Sequence, residues 1–166
     1  MTSAGAGRSA WSLWRYARSL YARPGVASAC LALQDRHSVD VNILVFCCWR
    51  ARHRRALSEA QCREAVALTG RWRNEIVVPV RRVRRDVAAR RGETPAIAAA
   101  YAALKACELE LERQQHAMLA DSCPENAGLA VDMAGALRLL AAALGIDHRP
   151  DANEALATVA RAAGRH

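Results

Sequence analysis

At 166 residues, 52% of them hydrophobic, the chain suits one domain with its own core, which excludes global disorder. Its formal charge of +8 comes almost wholly from Arg, with Lys105 the sole Lys. Alongside abundant Ala this marks a GC-rich coding bias, so the charge alone is not a nucleic-acid signal, although a positive field favours phosphates and anionic lipid at low salt. No apolar run approaches the roughly 20 residues that span a bilayer.

The elements read as helices throughout, because Ala is the best helix former and no stretch alternates with a strand period. After a small, flexible start (residues 1–9, with Thr2 to Gly7 the smallest), Trp11 to Ala22 forms a first helix. Leu13, Ala17, Leu20 and Tyr21 share its face, and Pro24-Gly25 stops it. No Asp or Glu precedes Asp35, while Arg8, Arg15, Arg18 and Arg23 do. An acid-free amphipathic start has the look of a transit peptide or membrane-surface helix. An ordinary first helix is the favoured reading, since Trp14, Leu20 and Tyr21 need a core to join.

Helix two runs from about Val26 to Arg36. Helix three, at about residues 39–53, is apolar around its whole circumference until Arg50 and belongs at the centre of a bundle. Ser58-x-x-Gln61 spells a capping box and opens helix four, which ends near Gly70. Helix five covers about Trp72 to Arg90, with Trp72, Ile76, Val80, Val83 and Val87 along one side and arginines opposite or flanking. Pro79 inside it must kink or divide it. Thr94-Pro95 opens helix six, which runs to about Asp121. Helix seven spans about Glu125 to Leu144 and ends at Gly145. Asp151-x-x-Glu154 opens a short last helix within 147–166, either packed on the 10–146 body or frayed. The expectation is an all-α, single-domain bundle of about seven or eight helices around the central helix three.

Six Cys occur, without a C-x-x-C spacing. Most fall on apolar helical faces, so free, buried thiols in a reducing compartment fit better than a disulfide framework.

Three polar constellations interrupt the apolar pattern. In helix six, Ile97, Tyr101, Leu104, Glu108, Leu111, Gln115 and Met118 follow a 4-3-4-3 seam, so Glu108 and Gln115 fall in the middle of an apolar stripe. Glu112 and His116 flank it, making a Glu108, Glu112, His116 ladder at successive turns. Carboxylate and imidazole ladders hold metals in bundles, but no second helix offers a matching pair. A buried Glu paired with Arg or an amide is the favoured reading, and a metal stays unassigned.

The second group is Gln34, Asp35, Asp40 and Asn42. The two Asp suit helix ends, where a carboxylate accepts free backbone N–H groups. Asn42 enters a wholly apolar helix and needs partners, for which Gln34 or Glu108 are suited. The third is two Arg-rich segments, Arg50, Arg52, Arg54 and Arg55, then Arg81, Arg82, Arg84 and Arg85. They are candidates for an anionic partner, with a solvated face the favoured explanation.

The run Leu13-Trp14 to Leu20-Tyr21-Ala22-Arg23-Pro24-Gly25-Val26, then Cys30-Leu31-Ala32-Leu33-Gln34-Asp35, then Asp40-Val41-Asn42-Ile43-Leu44 with Trp49 downstream, resembles a family of uncharacterised proteobacterial proteins carrying a domain of unknown function. The likeness is strongest over Leu13 to Trp49, weaker over helices five and six, and absent from the C-terminal third. It implies an all-helical cytoplasmic bacterial protein and no activity. It also implies a Gly just before Asp40, where this chain has Ser38 and Val39.

No Ser/His/Asp or Cys/His elbow and no phosphate loop is spelled out, so the sequence points away from an enzyme and implies no cofactor. The leading expectation is a non-catalytic helical module docking a protein partner. The alternatives are an RNA- or ribosome-associated basic protein, and a small-ligand or metal-dependent enzyme built on the Glu/His/Asn cluster.

Overall fold

The structure, a computed structural model, describes the backbone of residues 3–124 and 127–165 and the side chains from Ala10 onward within those ranges. Among the described residues eight α-helices follow one another: α1 (Ser3–Tyr21), α2 (Val26–His37), α3 (Val41–Arg52), α4 (Glu59–Trp72), α5 (Val78–Arg90), α6 (Pro95–Ser122), α7 (Met133–Leu144) and α8 (Pro150–Ala163). A π-helical turn, Arg73–Val77, joins α4 to α5 without a break, so Gly70 does not end a helix as expected. Among the described residues there is no β-sheet, only one bridge between Ala56 and Leu129. The fold is all-α and forms one bundle.

Helix α3 lies at its centre, against α1, α6, α7 and α4. Nearly every residue from Val41 to Ala51 is buried, Phe46 completely. Trp49 is only partly buried, lying across Phe46 with ring centroids 6.2 Å apart. The long α6 packs along α1 and α5, while α7 and α8 close the far side against α2, α3 and α4.

Local chemistry sets the helix boundaries. The Asp40 carboxylate accepts from the backbone N–H of Asn42 and starts α3. Ser58 and Gln61 form the reciprocal capping box of α4, and Thr94 caps α6. Gly145 ends α7 in the left-handed conformation, φ 66°. Ser38 ends α2 in the same region, φ 55°, at a place where the backbone asks for Gly.

Two expectations about elements change. Helix α1 is helical from Ser3, well before Trp11, and only residues 1–2 of the expected flexible start lie outside the described backbone. Helix α7 begins at Met133, and the expected start at Glu125 lies outside the described residues. The last helix buries Leu156 and Val159 against α2 and α7.

Candidate functional site: a polar cleft between α1, α2, α5 and α6

The seam of α6 carries its polar residues inward as the spacing requires. Glu108 and Gln115 are buried, and His116 beside them is 2% exposed. Facing Glu108 across the α5–α6 contact is Arg81. Its Nε donates to Glu108 Oε1 at 2.7 Å, its Nη1 to Gln34 Oε1 at 2.5 Å and its Nη2 to Glu112 Oε1 at 2.6 Å. One guanidinium thus ties α2, α5 and α6 together, using the planar fork that a Lys lacks. Arg84, one turn along α5, donates to the second oxygen of Glu108. Burial holds the Glu112 carboxyl above the usual carboxylate range, against the pull of Arg81 and with the help of the nearby Glu108 charge.

A second chain of hydrogen bonds runs beside it. Asn42 Nδ2 donates to Gln115 Oε1 at 2.8 Å, and Gln115 Nε2 donates to Asp40 Oδ2 at 2.6 Å. Asp40 can only accept, so it fixes the orientation of the Gln115 amide, which in turn fixes that of Asn42. The expected partners of Asn42 were Gln34 and Glu108. The structure gives it Gln115 instead, because Arg81 claims both of the others. The Asp40 carboxylate does double duty here, capping α3 and anchoring the amides.

His116 is the exception to this satisfaction. Neither ring nitrogen has a hydrogen-bond partner among the described residues. Its ring lies 5.6 Å from that of Trp14, tilted by 60°. Burial pushes its pKa down to about 4, so the ring is neutral near pH 7 and keeps one N–H donor and one acceptor nitrogen.

These groups, Gln115 and Asp40 apart, line one cleft of about 380 Å³, which is within the size range of small-molecule sites. Its apolar walls are Trp14, Ala17, Leu31, Val45 and Leu109, and Tyr21 stands beside them. Four guanidiniums line it, those of Arg18, Arg81, Arg84 and Arg85, against two carboxylates, Glu108 and Glu112. That surplus of positive charge sits next to an uncharged aromatic wall.

The candidate residues therefore sort into three places. Gln34, Asn42, Glu108, Glu112 and His116 come together with Arg81, Arg84 and Arg85 in the cleft. Asp40 stands behind it, and Asp35 lies outside, paired with Arg85 at 3.1 Å; that hydrogen bond holds its carboxyl below the usual range. Arg81 and Arg84 are thus not part of a solvated face, whereas Arg82 is exposed.

The earlier Arg segment lies at the C-terminal end of α3, and its first member is withdrawn from any external partner. Arg50 is 3% exposed and donates to the carbonyls of Arg55, Pro124 and Ala127. Arg52 and Arg54 are exposed and Arg55 is half-buried, with Arg52 lying 6.0 Å above the Tyr16 ring. Among the described residues no three His, Cys, Asp or Glu side chains gather as a metal-binding group. Arg81 lies between Glu108 and Glu112, occupying the position a cation would take.

Sequence reasoning missed Trp14, Arg18 and Tyr21, which it read only as first-helix residues. Their spacing, four and then three, puts all three on one face of α1, and α6 is what that face meets.

The arrangement defines an all-helical protein with a preformed, positively biased cleft. The chain belongs to the family described as "Protein of unknown function (DUF2390)", whose model matches residues 12–119. Every residue lining the cleft falls inside that segment, and α7 and α8 fall outside it. No curated protein and no solved structure matches the chain.

Proposed function

We propose that this protein binds a small amphiphilic anion in the cleft: a molecule with a flat apolar body and a carboxylate, sulfonate or phosphate end. The observation that carries the reading is His116, a buried imidazole whose two nitrogens are both without partners. Leaving a buried polar group unpaired costs about 1–3 kcal/mol, and such groups in native proteins call for a reason. A ligand that accepts from the imidazole N–H supplies one. The guanidinium surplus attracts the anionic end, and Trp14, Leu31 and Leu109 cover the body.

This reading stands ahead of the protein-docking module, which gives the unpaired imidazole no role. It also stands ahead of the RNA-associated reading, because Arg81 and Arg84 line a recessed cleft and not an exposed face that a nucleic-acid backbone could follow. It is a reading of binding, without turnover. The proteobacterial source and cytoplasmic setting implied by the sequence resemblance belong to the same proposal.

Fluorescence titration with anilinonaphthalenesulfonate, an apolar fluorophore bearing one sulfonate, tests it, with uncharged phenylnaphthylamine as the control. The expected result is saturable one-to-one binding that favours the sulfonate. It should weaken at least tenfold in both His116→Leu and Arg84→Gln, with native circular dichroism retained. Equal affinity for the charged and uncharged probes, or no change in His116→Leu, would overturn the proposal.

A further inference from the structure

The apolar stripe of α5 is turned partly out of the bundle, with Val80 and Val87 half-buried and Ile76 and Val83 exposed. In an unbroken α-helix continuing from Trp72, the positions Ile76, Val80, Val83 and Val87 fall on Trp72's side. Trp72 is on the inner side, since its Nε1 donates to Leu111 O of α6 at 3.0 Å. Yet Ile76 is 38% exposed and Val83 49% exposed, while Val77 is 1% exposed. The inward positions are Val77, Arg81 and Arg84, each one residue later than the stripe.

The shift arises in the π turn. The N–H of Val78 reaches the carbonyl of Arg73, five residues back, so the turn holds one residue more than an α-helical turn would. Everything downstream is thereby displaced by one position, or about 100° around the helix axis. Pro79 follows immediately. In a regular α-helix Pro79 would offer no N–H to the Glu75 carbonyl, and its ring would press on that same carbonyl. A wider turn just before it relieves the clash.

We infer that Pro79 is a positioning residue for the cleft: through the π turn it forces, it brings Arg81 and Arg84 to Glu108 in place of Val80 and Val83. The significance of this for ligand binding rests on the cleft reading above, but the register itself does not. In the α register Val80 and Val83 would occupy the places now held by Arg81 and Arg84. Glu108 and Glu112 would then lose their cation, and the cleft two of its four guanidiniums. Trp72 fixes the helix upstream, so any slip must occur between it and Arg81.

The register can be read directly from the Arg Nε–H resonances in nitrogen-15 NMR spectra. In the wild type, the Arg81 and Arg84 Nε–H groups bonded to Glu108 should be shifted and slow to exchange. Pro79→Ala removes the reason for the wide turn and should abolish both signals, and it should weaken the sulfonate probe at least tenfold. Deleting Asn74 in the Pro79→Ala background removes the extra residue, so both signals and the affinity should return. Pro79→Ala leaves the Glu108 and Glu112 carboxylates without their cation and should therefore melt lower, and rescue by the deletion, of the Arg signals and the Tm together, separates register from general damage. Retention of both Arg signals in Pro79→Ala, or failure of the deletion to restore them, would overturn the inference. If the wild type does not bind the probe, the cleft reading falls and the Arg signals still decide the register.

Discussion

Arg81 and Glu108 meet across α5 and α6 at 2.7 Å, with both side chains largely withdrawn from water. The same guanidinium reaches Glu112 at 2.6 Å, so one cation serves two carboxylates a helical turn apart. Glu108 in turn serves two cations, Arg81 and Arg84. Removing Glu108 leaves Arg84 without its carboxylate and Arg81 with only one of two. Glu108→Ala is therefore expected to cost about 3 kcal/mol, the range for breaking a buried pair. Urea denaturation checks this, with an exposed Glu such as Glu110→Ala as the reference. Equal midpoints for the two variants would refute the pairing. Arg81→Met combined with Glu108→Leu should cost less than the sum of the single changes, because no buried charge of that pair is then left over.

Burial of His116 should make the protein acid-sensitive between about pH 6.5 and about pH 4. Its pKa is about 4 in the folded state, against about 6.5 unfolded. Below 6.5 the unfolded chain takes up a proton that the folded ring refuses. Stability therefore falls as the pH drops from about 6.5 to about 4, by up to about 3 kcal/mol, and is unaffected by this group above 6.5. Glu112, with its raised pKa, acts in the opposite sense, losing its contribution as the pH rises. The difference between wild type and His116→Leu isolates the imidazole. That difference should shrink steadily on going up from pH 4 to 6.5, and a constant difference would contradict the burial.

Ser38 sits at φ 55° and ψ 24° at the end of α2, where its N–H donates to the Gln34 carbonyl and the N–H of Val39 to the Leu33 carbonyl. A side chain in this left-handed region costs roughly 1 kcal/mol that Gly avoids. Ser38→Gly should accordingly raise the stability by about that amount, measurable as a higher Tm with unchanged helicity. The same change at Arg54, φ 56°, makes a parallel test in an exposed turn. A lower Tm in Ser38→Gly would mean that the turn depends on the serine itself.

The six thiols divide by depth. Cys30, Cys47, Cys48 and Cys62 are buried, Cys123 is half-buried and Cys107 is exposed. Burial pushes Cys30 up to about 11, which keeps it protonated and unreactive near neutral pH. Titration with a chromogenic disulfide should find one fast thiol and one slower, and four that react only in urea. Four fast thiols in the native protein would place the core wrongly.

Much of the fold could be read from local chemistry. The caps at Ser58, Thr94 and Gly145 are spelled by their own residues, and α3 announces its burial by being apolar on every side. The seam of α6 likewise fixed the inward placing of Glu108 and Gln115. What could not be read is which residue answers another across the bundle. Asn42 could have met several amides or carboxylates, and only the packing of α6 on α3 selects Gln115. The face of α5 was misread for a physical reason: helical periodicity assumes a constant turn, and one π turn rotates every later residue. Nor does an apolar helix say which of its aromatics the core encloses: Phe46 is fully buried and Trp49 only partly.

The segment shared with the family ends at residue 119, before α7 begins. Yet α7 covers α3 and α4, and α8 covers α2, with Leu137, Leu140, Leu156 and Val159 buried between them. A fragment cut at the boundary of likeness would lay bare a greasy flank of three helices and tend to clump. The segment that the family model matches is therefore smaller than the piece that buries its own core. The cleft belongs to the matched part, and the closure that shields its supporting helices from water is supplied by helices outside the match.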